Sequence, residues 1–491
     1  MLFDSLTFLI AFPVFTVVFL NAPAWIQPRL MLLGSLVACA TFGWVSLVWL
    51  ILVTLIGFHF GRSIESAAST QRLWAAILLL LAPLLLLKYT DFVIDAIDSA
   101  LAYFATPLIR PRFNFSLPVG ISFYTFVVLG YVIDVHVSRT RAERSIANFA
   151  LFTAFYPKLV AGPVERQADF SPQIDTPKRF DYARVTDGMR IIGSGLFKKL
   201  VVADRLSVVV NGVYANPDAY GGTALILTSL CYMFQLYYDF CGYSEIAVGS
   251  AKVLGYDLIW NFNRPYAARS ISDYWRRWHI SLTSWFFEYV FAPVSALLRR
   301  RRRMAVICGL LATFLVSGLW HGARWTFICY GLVHGIAISI DYLTARPRKR
   351  FRRWIPAPLY ASLAWAITFA FVACADVLFR SDSIMATRAY LYRAITGLAP
   401  DLRFLTQHHF SAASMKALIA GLPIPKMDLV LALGTIVVIE LAGYWGRERP
   451  FRQILAIQPL WIRWPAYYLV AGAIVYLGSQ NAATMFIYMK Y

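Results

Sequence analysis

Apolar runs of about 20 residues, the length at which a helix crosses a hydrocarbon core, recur along the whole of this 491-residue chain. They fall near residues 5–20, 30–57, 72–88, 117–135, 147–163, 190–213, 222–240, 304–320, 325–343, 357–379, 427–445 and 464–480. A spanning segment must satisfy its own backbone hydrogen bonds, which leaves helices as the answer for runs of this length. Composition agrees: 59% of residues are hydrophobic and 15% are charged, against roughly 25% charged in a soluble domain. The fold class is therefore an all-α polytopic membrane protein. About eleven crossings are expected, with re-entrant and amphipathic helices besides. The 30–57 run carries Gly34 and Gly43 and is long enough to tilt or break. The 147–163 run ends at Pro157-Lys158 and Gly162-Pro163, which suits a segment that enters and returns.

One membrane-embedded domain over 1–491 is expected, with two stretches outside the bilayer. Residues 164–189 are polar and read as an aqueous loop. Residues 380–426 read as short amphipathic surface helices, and His408 and His409 within them as solvated loop residues. The net charge is +20, but the basic residues sit in short connections between apolar runs. Arg299 to Arg303 forms one block and residues 346–353 another. This is the cytoplasmic-loop bias, with anionic lipid headgroups as the natural contact. No nucleic-acid module accompanies it, so nucleic acid is not an expected partner. The six cysteines lack C-x-x-C spacing and read as small core residues, not a zinc site or a disulfide framework. The first basic residue is Arg29, so the first run reads as a retained span with the N-terminus outside.

Two stretches carry chemistry. In Ser270-Ile-Ser-Asp-Tyr-Trp-Arg-Arg-Trp-His-Ile-Ser-Leu-Thr-Ser-Trp285, a single helix would place Trp275, Trp278, Leu282, Trp285 and Phe286 on one face. Asp273, Arg276, Arg277, Thr283 and Ser284 would share the other, with His279 at the boundary and an Asp273–arginine pair within reach. Such a helix lines a cavity or an interface. In Ser317-Gly-Leu-Trp-His-Gly-Ala-Arg-Trp-Thr326, His321 sits where one apolar run ends and the next begins, between Gly318 and Gly322. An ionisable group at that depth marks a functional site, and imidazole can take a proton from a hydroxyl and return it to a leaving group. His334 reads as structural. Asp239 and Glu245 are the acid candidates, either orienting a catalytic group or pairing with an arginine of the 264–277 segment. There is no G-x-S-x-G elbow, H-E-x-x-H or Walker loop.

Five separated motifs resemble the membrane-bound O-acyltransferase family. They are Leu117-Pro-Val-Gly-Ile-Ser-Phe-Tyr-Thr-Phe126, Phe155-Tyr-Pro-Lys-Leu-Val-Ala-Gly-Pro-Val-Glu-Arg166, Tyr237-Tyr-Asp-Phe-Cys-Gly-Tyr-Ser244, Ile271-Ser-Asp-Tyr-Trp-Arg-Arg-Trp-His-Ile-Ser-Leu282 and Gly318-Leu-Trp-His-Gly-Ala323. They stand in the family's order, and the resemblance is closest to the bacterial branch acting on alginate, cellulose and peptidoglycan. It implies a multi-helix fold around a central tunnel. It implies His321 as the catalytic histidine and His279 in the second, supporting position. Trp320, Trp275, Trp278, Asp239 and Arg276 are then expected to line or support the tunnel.

The tail Phe486-Ile-Tyr-Met-Lys-Tyr491 resembles the family's aromatic tail, departing from it at Met489 and Tyr491. By that likeness Tyr488 is the candidate acyl carrier. The implied donor substrate is a cytoplasmic acyl thioester such as acetyl-CoA, with no resident cofactor. The implied setting is the bacterial inner membrane, with a periplasmic SGNH-hydrolase-like transferase passing acetyl to a polysaccharide. Two other functions are open at this level: D-alanyl transfer to teichoic acid within the same family, and a transporter or channel without covalent chemistry.

Overall fold

The computed structural model describes residues 2–3, 5–67, 69–103, 113, 117–446 and 451–478. Among these the regular structure is helical. Among the described residues nine helices are long and apolar enough to cross a membrane, and Leu6–Asn21 and Ile121–His136 are shorter apolar helices. The chain divides into two compact units, residues 1–192 with 243–260, and residues 193–242 with 261–491.

The first unit contains α1 (Leu6–Asn21), α2 (Gln27–Ala40), α3 (Trp44–Ser66), α4 (Thr70–Tyr103), α5 (Ile121–His136), α6 (Ile146–Ala154), α7 (Tyr156–Leu159) and α8 (Gln167–Ile174). Most of α9 (Tyr182–Leu196) also belongs to it. The long 30–57 run does break, at Thr41–Gly43, where Gly43 takes a φ of 107°. Helix α3 approaches α5 through Gly57 and Gly61: a Cβ at Gly57 would collide with Val128, and one at Gly61 with Tyr131. This is the small-x-x-x-small spacing by which membrane helices pack closely.

Two of the five motifs meet inside this unit. Gly120, at φ 77°, lies against the Leu159 carbonyl where no side chain would fit. Nearby, Lys158 is buried with its ammonium 4.1 Å from the Phe152 ring and 4.4 Å from the Phe170 ring. Burial pushes that ammonium below the ordinary lysine value, against the opposite pull of Glu165. The 147–163 run is two short helices, not one long one, and the 164–189 stretch contains α8 and the start of α9.

The second unit begins with a π-helical turn at Phe197–Ala203, then α10 (Asp204–Ala215) and the first two-thirds of α11 (Gly222–Val253). There follow α12 (Ile271–Trp275), α13 (Ile280–Phe286), α14 (Ala292–Leu297), α15 (Arg302–His321), α16 (Trp325–Leu343), α17 (Ala345–Phe351) and α18 (Ala357–Arg380). Short helices α19 (Ile384–Thr396), α20 (Leu398–Gln407) and α21 (Ala412–Leu418) occupy the 380–426 stretch. The unit closes with α22 (Lys426–Trp445), α23 (Phe451–Ala456) and α24 (Leu460–Gly472).

Helices α15 and α16 form a tight hairpin because Gly318 and Gly331 face each other. A Cβ at Gly331 would run into the Phe314 carbonyl oxygen, and one at Gly318 into that of Phe327. The core they join is rich in large aromatic side chains, among them Tyr266, Tyr274, Trp275, Trp278 and Tyr330.

The expected helix over 270–285 is not continuous. It is α12 and α13, separated by a turn in which His279 adopts φ 44° and ψ 53°. Residues 280–297, not counted among the apolar runs above, are long and apolar enough to cross a membrane.

Candidate active site

His321 is the last residue of α15, and Gly322 leaves the helix with extended backbone. The imidazole is 6% exposed, so the helix end delivers an ionisable ring into the apolar core. Its ring centroid lies 5.0 Å from Phe379, 5.0 Å from Trp320, 6.2 Å from Tyr330 and 6.3 Å from Phe327. These spacings are those of ordinary aromatic packing, and they hold the ring from several sides.

His279 comes to the same core from another element. It precedes α13, is 2% exposed, and packs edge-on against Phe240 at 4.6 Å and Trp320 at 6.1 Å. The indole of Trp320 therefore packs against both imidazoles. Three expected site residues, His279, Trp320 and His321, are brought together by one core.

The supporting tryptophans have distinct places. Trp278 is buried among Phe262, Tyr274 and Tyr237. The Trp275 indole N–H donates to His334 Nδ1 at 3.2 Å, which leaves the neutral ring's proton on Nε2. His334 is fully buried and packs on Tyr330 at 4.5 Å. Arg276, the residue after α12, is exposed. Arg277 makes the expected ion pair with Asp273, at 2.8 Å. Arg324 pairs with Asp382 at 3.0 Å.

Asp239 is buried on α11 and pairs with Lys199 at 2.7 Å. Lys199, on the π-helical turn, also reaches Asp204 at 2.7 Å. Burial alone would depress this ammonium, but Asp239 and Asp204 together raise it above its ordinary value. The cluster is close-packed through Gly242, where a Cβ would sit 2.7 Å from the Gly195 carbonyl oxygen. Lys199 is not among the expected site residues, although Lys198-Lys199 inside an apolar run is a visible anomaly. Asp376, the one charged residue in the 357–379 run, is not among them either. It is 1% exposed on α18, one turn from Phe379, and neither carboxyl oxygen has a hydrogen-bond partner among the described residues.

Among the described residues no three His, Cys, Asp or Glu side chains gather as a metal site would require. The tail with Tyr488 lies outside the described residues.

The model of the membrane-bound O-acyltransferase family matches residues 32–374, which include both histidines and all five motifs. The chain belongs to that family. It is a polytopic membrane O-acyltransferase. It is 34% identical over 378 residues to the probable alginate O-acetylase AlgI of Azotobacter vinelandii, covering 75% of this chain and 74% of that one. It is 32% identical over 471 residues to the probable alginate O-acetylase AlgI of Pseudomonas putida, covering 93% and 91%. It is 33% identical over 344 residues to the peptidoglycan O-acetyltransferase of Helicobacter pylori, covering 64% and 63%.

Proposed function

We propose that this O-acyltransferase moves acetyl from a cytoplasmic thioester, acetyl-CoA, across the bacterial inner membrane for O-acetylation of an extracytoplasmic polysaccharide. The observation that carries the reading is the buried pair of imidazoles, His279 and His321, packed on one indole at the end of α15. Related proteins named for alginate and peptidoglycan O-acetylation supply the acyl group and the acceptor class.

His321 acts as general base. It takes the proton of an attacking hydroxyl, the hydroxyl oxygen bonds to the thioester carbonyl carbon, and the C–S bond breaks. His321 then returns the proton to the departing thiolate. The attacking hydroxyl is that of Tyr488, so that the acyl group rests as a tyrosyl ester. A periplasmic SGNH-hydrolase-like transferase then moves it to the polysaccharide. His279 supports the developing charge, and Trp320 keeps both rings in place and excludes water. The basic connections at 299–303 and 346–353 face the cytoplasm and its anionic lipids, and the N-terminus faces the periplasm.

The test is transfer from labelled acetyl-CoA in proteoliposomes. His321→Ala abolishes labelling of the protein and of the acceptor while the purified protein stays monodisperse in detergent. Tyr488→Phe abolishes the protein-bound label. Normal acetylation in folded His321→Ala refutes the assignment of His321.

A further inference from the structure

His279 stands in the left-handed region, with φ 44°, which a residue with a Cβ adopts at a cost. Backbone strain of this kind persists where the surroundings over-determine it, and it concentrates at functional sites. The residues that hold it here are on a different stretch of chain. The non-helical segment 261–263 runs alongside the turn. Asn263 N–H donates to the Arg277 carbonyl at 2.9 Å, and Ile280 N–H donates to the Asn261 carbonyl at 2.9 Å. Those two bonds fasten the chain on either side of His279.

Asn261 then adds a side-chain contact. Its Oδ1 accepts from the Ser281 hydroxyl at 2.6 Å and, more weakly, from the Ser281 N–H at 3.4 Å. Asn261 and Ser281 are 1% and 3% exposed, so no bulk water substitutes for these bonds. On the far side, the first turn of α13 is closed by Thr283. Its N–H donates to the His279 carbonyl at 2.9 Å, and its hydroxyl to the Trp278 carbonyl at 3.0 Å. The next residue along the strap, Phe262, packs on Trp278 at 5.1 Å and on Phe240 at 5.0 Å, and Phe240 is the ring that touches His279. Backbone, amide and aromatic contacts of residues 261–263 thus converge on one strained residue.

We propose that Asn261 is the positioning residue for His279, holding its backbone in the left-handed conformation that aims the imidazole at the transfer site. The proposal rests on the role given above to His279. An amide suits the task because its carbonyl oxygen is a neutral acceptor that places no charge beside the imidazole. Leucine is of similar size but leaves the Ser281 hydroxyl without that acceptor, and the turn relaxes toward ordinary backbone. Displacing a catalytic group by about 1 Å can cost on the order of 100-fold, so the expected effect on kcat lies between about 10- and 100-fold.

The experiment measures acetyl transfer from labelled acetyl-CoA by the full-length protein in proteoliposomes, for Asn261→Leu, Ser281→Ala, Ser281→Thr, His279→Ala and the double variant N261L/H279A. The expected pattern is a fall in kcat with unchanged KM for acetyl-CoA in Asn261→Leu and, less deeply, in Ser281→Ala. Ser281→Thr keeps the hydroxyl and restores kcat. In the double variant, Asn261→Leu adds no loss to that of His279→Ala, because both act through one imidazole. If the two losses multiply, or if Asn261→Leu and Ser281→Ala keep full kcat while His279→Ala is inactive, the positioning role is overturned. If His279→Ala itself keeps full activity, the role of His279 fails first and the positioning role falls with it. Should Asn261→Leu not fold, Ser281→Ala against Ser281→Thr decides the question alone.

Discussion

Replacing Lys199 by methionine removes the cation from a buried cluster that holds two carboxylates. Lys199, Asp204 and Asp239 have side-chain exposures of 3%, 8% and 4%, so solvent screens them little. At an effective dielectric of about 20, each 2.7 Å contact is worth about 6 kcal/mol of attraction. Most of that is offset by the several kcal/mol of desolvation that each ion has already undergone. Loss of the lysine forfeits both attractions and leaves two desolvated acids without that cation. Breaking a buried pair in this way costs about 3–5 kcal/mol. Lys199→Met, nearly the same in volume, keeps packing out of the comparison. Thermal melting in detergent followed by tryptophan fluorescence reads the loss as a melting temperature lowered by several degrees. A second variant sharpens the test. In K199M/D239N one of the stranded charges is gone, so the double variant melts above Lys199→Met. If Lys199→Met melts with the wild type, the cluster is not a stabilising element. If Asp239→Asn on the Lys199→Met background lowers the melt further, the electrostatic reasoning is wrong.

Lys158 gives a pH prediction. Burial lowers its pKa in the folded protein, against the pull of Glu165, whereas an exposed lysine titrates near 10.4. Between the folded and the unfolded value the unfolded chain binds the extra proton, so stability rises with pH there. The melting temperature of the wild type relative to Lys158→Met therefore climbs as the pH rises toward the ordinary lysine value, and a flat difference counts against the burial argument. Gly331→Val puts a branched side chain against the Phe314 carbonyl and forces α15 and α16 apart; size-exclusion profiles show loss of folded protein. Gly193→Ala is the control, since apart from its chain neighbours and its own helix backbone no atom among the described residues lies within 4 Å of the added methyl. That change in α9 gains roughly 0.5–1 kcal/mol, and a destabilised variant would contradict the packing described.

What sequence reasoning captured follows from interactions that are local along the chain. Length and apolarity decide a spanning helix, and those are properties of a window. Hence α15, α16 and α18 begin and end within a few residues of the apolar runs. The Gly-flanked end of α15 at His321 was legible for the same reason. The break at His279 was not. Within 270–285 every residue permits a helix, and the aromatic spacing favours one. The turn is imposed by hydrogen bonds from 261–263, 14 to 20 residues away along the chain, and by Phe240 on another helix.

The same distinction separates the charges. The Asp273–Arg277 pair spans one helical turn and was foreseeable; Lys199 finds Asp239 across 40 positions, and Trp275 finds His334 across 59. In a bilayer this asymmetry has a physical basis. Spanning helices are fixed by transfer of their own surface into lipid, before any partner is chosen. Sites are fixed by the few polar groups that must then find each other inside. His321 lies on the first kind of element and His279 on the second. The second histidine therefore depends on a remote amide in a way the first does not, and that makes Asn261 the more informative residue to substitute.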